Sequence, residues 1–106
     1  MAEVATTKLF ENDRVIVWEM LLEPGESTGL HTHHRDYFFH VVEGSTLATR
    51  DKDGVPLGDF DLDAGSTNWL ALEGDELAFG DIRLPATHDA ENVGSRRYRE
   101  ILVELK

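Results

Sequence analysis

The chain has 106 residues and a formal net charge of -11 with its histidines counted as neutral. This excess of acid speaks against partners that need clustered Lys and Arg, so we expect neither a nucleic-acid partner nor docking on an anionic membrane. The chain has no cysteine, which excludes disulfides, thiolate metal ligands and cysteine nucleophiles.

The length predicts a single domain over residues 1–106. The first ten residues, MAEVATTKLF, lack the cationic start and the apolar stretch of a secretory signal. No run approaches the roughly 20 apolar residues of a membrane span. We therefore expect a cytoplasmic protein.

Short apolar runs separated by turn residues follow one another along the chain. Residues 14–22 (RVIVWEMLL) and 36–44 (DYFFHVVEG) are rich in β-branched and aromatic side chains, and turn residues or Gly end them. Residues 45–54 predict a strand that runs into the turn DKDG, and residues 55–65 alternate as a strand with one wet face does. The span 68–85 predicts two strands around the turn EGDE.

The final segment, residues 96–106 (RRYREILVELK), fits two patterns. Ile101, Val103 and Leu105 alternate as in a strand, whereas Tyr98, Ile101, Leu102 and Leu105 also fit a helical stripe. We favour the strand, because its centre is β-branched and the preceding segments are β-like. Strands that recur about every 8 to 12 residues, without a clear amphipathic helix, predict an all-β antiparallel sandwich or barrel.

Four of the five histidines lie within residues 29–44 (GLHTHHRDYFFHVVEG), and the fifth is His88. Successive side chains on a strand point to opposite faces, so His31 and His33 share a face with their Cα atoms about 6.6 Å apart. Two imidazoles at that separation can converge on one ion, at about 2.0–2.1 Å from each nitrogen. A lone His-x-His pair also occurs by chance on protein surfaces, so the pair needs support from its context.

The other two histidines of this segment lie on the opposite face of the predicted strand from His31 and His33. Arg35 and Tyr37 continue the face of the His-x-His pair if the strand is regular, whereas His34 and His40 take the opposite face. We expect His34 and His40 at the surface or in packing contacts, with a subunit contact open for His40. A third metal ligand is predicted to be His88, at the start of a strand that follows a proline.

The segment GESTGLHTHHRDYFFHVVEG resembles the first motif of the cupins. That motif has a Gly, five residues, His-x-His, three or four residues, a Glu, six residues and a second Gly. Gly25, His31, His33 and Gly44 stand at the matching positions. The predicted strands are those of a cupin over nearly the whole chain.

The second cupin motif, which ends in His, three residues and Asn, is met only in part. His88 and Asn92 match its end, but Arg83 and Pro85 stand where the motif usually has Pro and Gly. The larger departure lies in the first motif, where Tyr37 occupies the position of the glutamate.

The resemblance implies a single antiparallel β-barrel or jelly roll of the cupin type with one ion inside. The ligands would be His31, His33 and His88, and an imidazole set without carboxylate suits a divalent transition metal, with Fe, Zn or Ni favoured. Tyr37 could bind the ion as a phenolate, donate a hydrogen bond beside it, or simply fill the barrel. Asp36 could ligate only if a bulge turned it inward.

The expected function is that of a metal-dependent enzyme, an oxygenase, lyase or isomerase, acting on a small carbonyl or carboxylate compound. Tyr37 would act as an acid/base group or hydrogen-bond donor, and Arg35 would pair with a substrate carboxylate if it faces inward. One alternative is a non-catalytic metallo-cupin that binds or senses a small ligand. Another is a vestigial site plugged by Tyr37, Phe39 and Trp69.

The expected assembly is a homodimer. The segments VIVWEMLL and REILVELK contain more apolar side chains than the core of one small chain needs to bury. Small cupins of the kind that this chain resembles commonly pair through sheet edges and termini.

Overall fold

The computed structural model describes residues 1–106 and consists of eleven strands without helices. No helix long and apolar enough to cross a membrane is present. The strands are β1 (Thr7–Glu11), β2 (Val15–Leu22), β3 (His31–Thr32), β4 (Tyr37–Glu43), β5 (Ser45–Arg50), β6 (Pro56–Leu62), β7 (Thr67–Glu73), β8 (Glu76–Phe79), β9 (Ile82–Pro85), β10 (Thr87–Asn92) and β11 (Tyr98–Leu105).

The strands form two antiparallel sheets that pack against each other. The large sheet has the order β1-β2-β11-β4-β7-β8-β9, and the small sheet has the order β3-β10-β5-β6. Leu47 and Ala90 of the small sheet share one hydrophobic core with Trp18, Val41 and Leu102 of the large sheet. The predicted all-β class is confirmed. The two sheets make a jelly roll and do not close into a barrel.

Strands β2 and β11, neighbours in the large sheet, alternate strictly between the core and the outer face. In β2 the even-numbered side chains from Ile16 to Leu22 are buried. The last segment is a strand, as predicted, and the residues that it buries are Tyr98, Glu100, Leu102 and Glu104. Ile101, Val103 and Leu105, whose alternation indicated the strand, therefore lie on its outer face.

Two features of the chain differ from the predicted elements. The span predicted to hold two strands contains three, because a second turn at Gly80, where φ is +58°, separates β8 from β9. Strand β1 was not predicted either. All five of its side chains are exposed, so it has no alternation between buried and exposed residues that would mark a strand.

The short strand β3 brings the first histidines to the small sheet. It pairs with β10 through two residue pairs, Thr32 with Thr87 and His31 with His88. The chain then leaves the strand, and the backbone amide of His33 donates to the carbonyl of Ala86 over 2.9 Å. The ladder of the small sheet therefore places the histidines of two distant segments side by side.

Candidate metal centre

Three histidine side chains converge in the interior between the two sheets. His31, His33 and His88 are 2%, 3% and 7% exposed. Their ring centroids are 4.8 to 5.1 Å apart, and one nitrogen from each lies within 4.8 Å of the others. The side chains that the sequence singled out as ligands are thus together, and they form a group that could hold a metal ion.

Backbone carbonyls fix the orientation of two of the rings. The Nδ1–H of His31 donates to the carbonyl of Gly29 over 2.9 Å, and the Nδ1–H of His88 donates to that of Pro85 over 2.8 Å. Because a carbonyl can only accept, the proton of each neutral ring lies on Nδ1. Each ring therefore carries its lone pair on Nε2, as in histidines that bind metals through that nitrogen.

The third ring completes a set of donors that fits a cation. Nε2 of His33 lies 3.1 Å from Nε2 of His31, while its Nδ1 is buried without a hydrogen-bond partner. Two nitrogens bound to one ion at about 2.1 Å each are themselves about 3.0–3.4 Å apart. The spacing and the chemistry of these side chains therefore fit a divalent transition ion.

Burial keeps the three imidazoles in the neutral form that binds metal. It lowers the pKa of His31 and lowers that of His33 well below its usual value. The pKa of His88 falls to about 4, again chiefly through burial, with His31 as the next cause. At neutral pH all three rings are therefore uncharged and offer lone pairs.

Tyr37 stands directly beside the histidines. Its ring stacks on that of His33 with the centroids 4.2 Å apart and the planes 15° from parallel. The side chain is 4% exposed, and its hydroxyl makes no hydrogen bond to another protein group. Burial raises the pKa of Tyr37 well above its usual value, with Glu100 and Glu104 adding to the shift. In the metal-free protein Tyr37 is therefore a neutral phenol.

The histidines open onto a cavity of about 70 Å³ between the two sheets. Of its 17 lining residues, 12 are hydrophobic, and no Lys or Arg is among them. The other five are His31, His33, Thr49, His88 and Glu100, and Tyr37, counted among the twelve, adds a hydroxyl. The site is thus a small and largely apolar chamber with a few polar groups.

Comparison with solved structures identifies the fold. A cupin domain from Bordetella pertussis is similar to this chain with a TM-score of 0.70 and 22% identity, over 94% of this chain and 90% of that one. An RmlC-like cupin with a double-stranded β-helix fold, from Methanocaldococcus jannaschii, is similar with a TM-score of 0.62 and 14% identity, over 93% and 76% of the two chains. This chain has the cupin fold.

A further solved structure shows the same fold at lower similarity. It is a protein from Shewanella frigidimarina that contains a cupin-2 domain, with a TM-score of 0.51 and 17% identity, over 93% of this chain and 78% of that one. No family description matches the sequence, and no curated protein does. The cupin resemblance is therefore carried by the fold and by the motif residues.

Several polar residues of the first cupin motif lie away from the cavity. Arg35 is half-buried and does not line the cavity, because β3 ends at Thr32 and the chain does not continue as a regular strand. The inward position considered for Arg35 is therefore not found. His34 and His40 are exposed, and Nδ1 of His40 lies 2.8 Å from the hydroxyl of Thr67.

Asp36 and Trp69 also differ from the alternatives considered for them. Asp36 is not turned toward the ion site, since its Oδ1 accepts the amide of Leu72 over 2.7 Å and thereby joins the start of β4 to β7. Trp69 lies on the outer face and is 48% exposed. The cupin cavity is therefore not plugged by the three aromatic side chains together.

The asparagine of the second cupin motif has a structural position. Asn92 is fully buried, and its amide donates to the carbonyls of Leu22 and Arg96 over 2.9 and 2.7 Å. Its oxygen accepts the hydroxyl of Ser45 over 2.8 Å and the amide of Gly94 over 3.0 Å. Asn92 therefore ties together the chain segments at the far end of β10 from His88.

Sequence reasoning missed two residues of the site. Glu100 lines the cavity from the large sheet, opposite His31 and His88. Its spacing of two residues from both Tyr98 and Leu102, which puts the three on one face of β11, is the sequence feature that could have indicated it. Thr28 was missed as well. Its hydroxyl accepts the amide of Ala90 over 3.1 Å and lies 3.2 Å from Nδ1 of His31, and no spacing rule indicates such a contact.

Proposed function

We propose that this chain is a metal-dependent enzyme of the cupin fold that acts on a small carbonyl compound at the cavity. The ion would be Fe, Zn or Ni, held by His31, His33 and His88. The observation that carries the proposal is that three buried, neutral imidazoles present lone pairs to a chamber whose other walls are mostly apolar. Concave apolar sites with a few convergent polar groups are typical of small-molecule sites.

The donor set decides which chemistry is available. Three neutral nitrogens leave the charge of a divalent ion uncompensated, and such a centre polarises a carbonyl oxygen or activates water when it is bound. The mostly apolar side chains of the lining would enclose the substrate. The phenol of Tyr37, neutral and without a protein partner, donates a hydrogen bond to a substrate oxygen.

The charge of the lining favours a carbonyl over a carboxylate substrate. No Lys or Arg lines the cavity, so a carboxylate could pair only with the ion, and Glu100 would oppose any carboxylate held away from the ion. Arg35, considered for that task, lies outside the lining. A neutral carbonyl compound needs no such partner.

The ligand assignment is tested by metal content. Wild-type protein, purified without added metal or a histidine tag, is expected to hold about one transition ion per chain. His88→Ala should lose most of it, because two nitrogens bind an ion far more weakly than three. His34→Ala, which removes an exposed imidazole of the same segment, should retain it. Equal loss in both variants would refute the ligand set.

The catalytic part is tested separately by turnover. Small ketones, aldehydes and hydroxy ketones are incubated with the Fe, Zn and Ni forms, and both oxygen uptake and substrate loss are followed. Tyr37→Phe keeps the stacked ring and removes only the hydroxyl, so it should slow turnover at unchanged metal content. A ligand that binds but is recovered unchanged with every metal would indicate a binding or sensing protein instead.

A further inference from the structure

The cavity has a second polar wall, which faces the histidines from the other sheet. Glu100 belongs to β11 of the large sheet, whereas His31 and His88 belong to β3 and β10 of the small sheet. All three line the same cavity. A molecule held at the histidines would therefore have the carboxyl group of Glu100 on its opposite side.

Glu100 has hydrogen-bonding capacity that the protein does not use. Its Oε1 accepts the hydroxyl of Tyr98 over 2.5 Å, but its Oε2 accepts no hydrogen bond from any protein group, although the residue is only 3% exposed. Burial raises the pKa of Glu100 to about 7. Because Glu100 lines the cavity, this oxygen is available to a donor from a bound molecule.

The neighbouring carboxyl of the same strand is arranged differently. Glu104 is also buried, but it accepts the indole Nε1–H of Trp18 over 2.8 Å and does not line the cavity. The two glutamates thus share a strand, a face and burial. They differ in whether they face the cavity, which makes Glu104 a matched control for Glu100.

Volume and charge limit what can lie between the two polar walls. A cavity of about 70 Å³ is several times the 10–15 Å³ that a single water needs, and well below the roughly 300 Å³ at the lower end of drug-sized pockets. The occupant therefore has only a few heavy atoms. A second carboxylate beside Glu100 would be repelled, whereas a hydroxyl or an amino group would be accepted.

We propose that the ligand of this cavity is a short carbonyl compound with a hydrogen-bond donor, a hydroxyl or amino group, that binds to the free oxygen of Glu100 while its carbonyl oxygen faces the histidines. Glu100 is then the residue that selects the substrate class. The inference rests on the proposed function in placing the carbonyl at the metal-binding histidines. The hydrogen bond to Glu100 does not itself need the ion.

The test compares two probes of similar size, hydroxyacetone and butanone, which differ by a hydroxyl in place of a methyl group. Their dissociation constants are measured at pH 8, where Glu100 is ionised, by NMR titration against zinc-loaded protein, after the zinc content of every variant has been determined. Wild type is expected to bind hydroxyacetone about tenfold more tightly, since a hydrogen bond to a charged group is a strong one. In Glu100→Met, which removes both oxygens, the ratio should fall to about one, and in Glu104→Gln it should stay at the wild-type value.

Three results would overturn the inference: no preference for hydroxyacetone in wild type, an unchanged preference in Glu100→Met, or pyruvate binding to the metal-free protein as tightly as hydroxyacetone does. Should Glu100→Met fail to fold, Glu100→Gln serves in its place. This variant keeps a hydrogen-bond partner for Tyr98. Its affinity ratio of hydroxyacetone to butanone should lie between the wild-type ratio and a ratio of one. A ratio equal to that of wild type would again contradict the inference.

The two proposals fail in different ways. A wild-type protein that takes up no zinc contradicts the proposed metal function. The same titrations on metal-free protein then still test Glu100, because the preference for hydroxyacetone is expected to persist there and to disappear in Glu100→Met. Zinc uptake without a preference contradicts the inference alone.

Discussion

Two kinds of ionisable side chain share the cavity, and burial drives both toward the uncharged form. Burial lowers the pKa values of the three histidines and raises that of Glu100 to about 7. For the histidines the neutral form is the one that binds metal. For Glu100 the same physical effect makes ionisation costly, so the residue reduces the stability of the free protein at neutral pH.

The pKa of Glu100 gives a stability prediction for Glu100→Gln. In the unfolded chain the carboxyl loses its proton near pH 4.5, but in the folded protein it keeps the proton up to about pH 7. Between these values the folded state binds more protons, so wild-type stability falls relative to the variant as the pH rises. The shift should reach about 3 kcal/mol by pH 8, at roughly 1.4 kcal/mol per unit.

Urea unfolding of both metal-free proteins at pH 4, 6 and 8 measures this difference. The free energy of unfolding of Glu100→Gln should rise relative to that of wild type from pH 4 to pH 8. A constant difference across the three pH values would mean that the folded protein does not hold the proton of Glu100 as described.

At the scale of elements, the turn between β4 and β5 explains the last glycine of the first motif. A Cβ on Gly44 would lie 2.5 Å from the carbonyl oxygen of Leu62 and 2.9 Å from the amide nitrogen of Ala64. Both are backbone atoms that cannot rotate away. The glycine is therefore required by the close approach of the end of β6 and of the residues just after it.

We expect Gly44→Ala to destabilise the protein by about 2–4 kcal/mol, because part of the backbone must shift. Gly54→Ala is the matched control. At Gly54 φ is +80° and nothing lies within 4 Å of the added Cβ, so only the conformational penalty of about 1–2 kcal/mol applies. Thermal unfolding of the two variants measures the difference, and equal losses would contradict the role given to the close approach.

The strands differ in how much of them the sequence could predict. His31 and His33 could be placed on one face because side chains two positions apart on a strand point in the same direction. The same rule did not reveal Glu100, because both faces of β11 carry apolar residues and the outward set, Ile101 and Val103, resembles a core face. The contact of His88 with β3 depends on strand pairing between distant segments, which spacing along the chain does not encode.

At the scale of the whole molecule, the outer face of the large sheet carries a row of apolar side chains across five strands. Phe10, Val17, Val103, Phe38 and Trp69 are successive cross-strand partners from β1 to β7. Phe10 and Trp69 are 54% and 48% exposed. This outer row explains why the segments that contribute to it contain more apolar residues than the core requires.

The charge around the outer row suits a second copy of the chain. On the outer faces of β2, β11 and β4, Glu19 forms an ion pair of 2.7 Å with Arg99. Glu43, the cross-strand partner of Arg99, forms one of 2.8 Å with Arg97. This face is therefore locally neutral in a chain whose net charge is -11. Two copies could meet here without bringing their excess negative charges together.

We expect a homodimer through the outer row, visible as twice the chain mass in light scattering at micromolar concentration. Val103→Glu places a charge at the centre of the row and should yield monomers. Ile82→Glu is the control, since Ile82 is a 44% exposed hydrophobic residue on β9, outside the row. A monomeric wild type, or dissociation by both variants alike, would contradict this interface.

The two-residue strand β3 has a further consequence. Only two residue pairs join it to β10, and the chain after it is irregular, yet it carries His31 and leads directly to His33. A segment with so few backbone hydrogen bonds opens locally at a small fraction of the free energy of global unfolding. An ion bound by His31, His33 and His88 would hold this segment against β10. Amide exchange there would slow on metal uptake, and the same local opening would give the ion a route into a buried site.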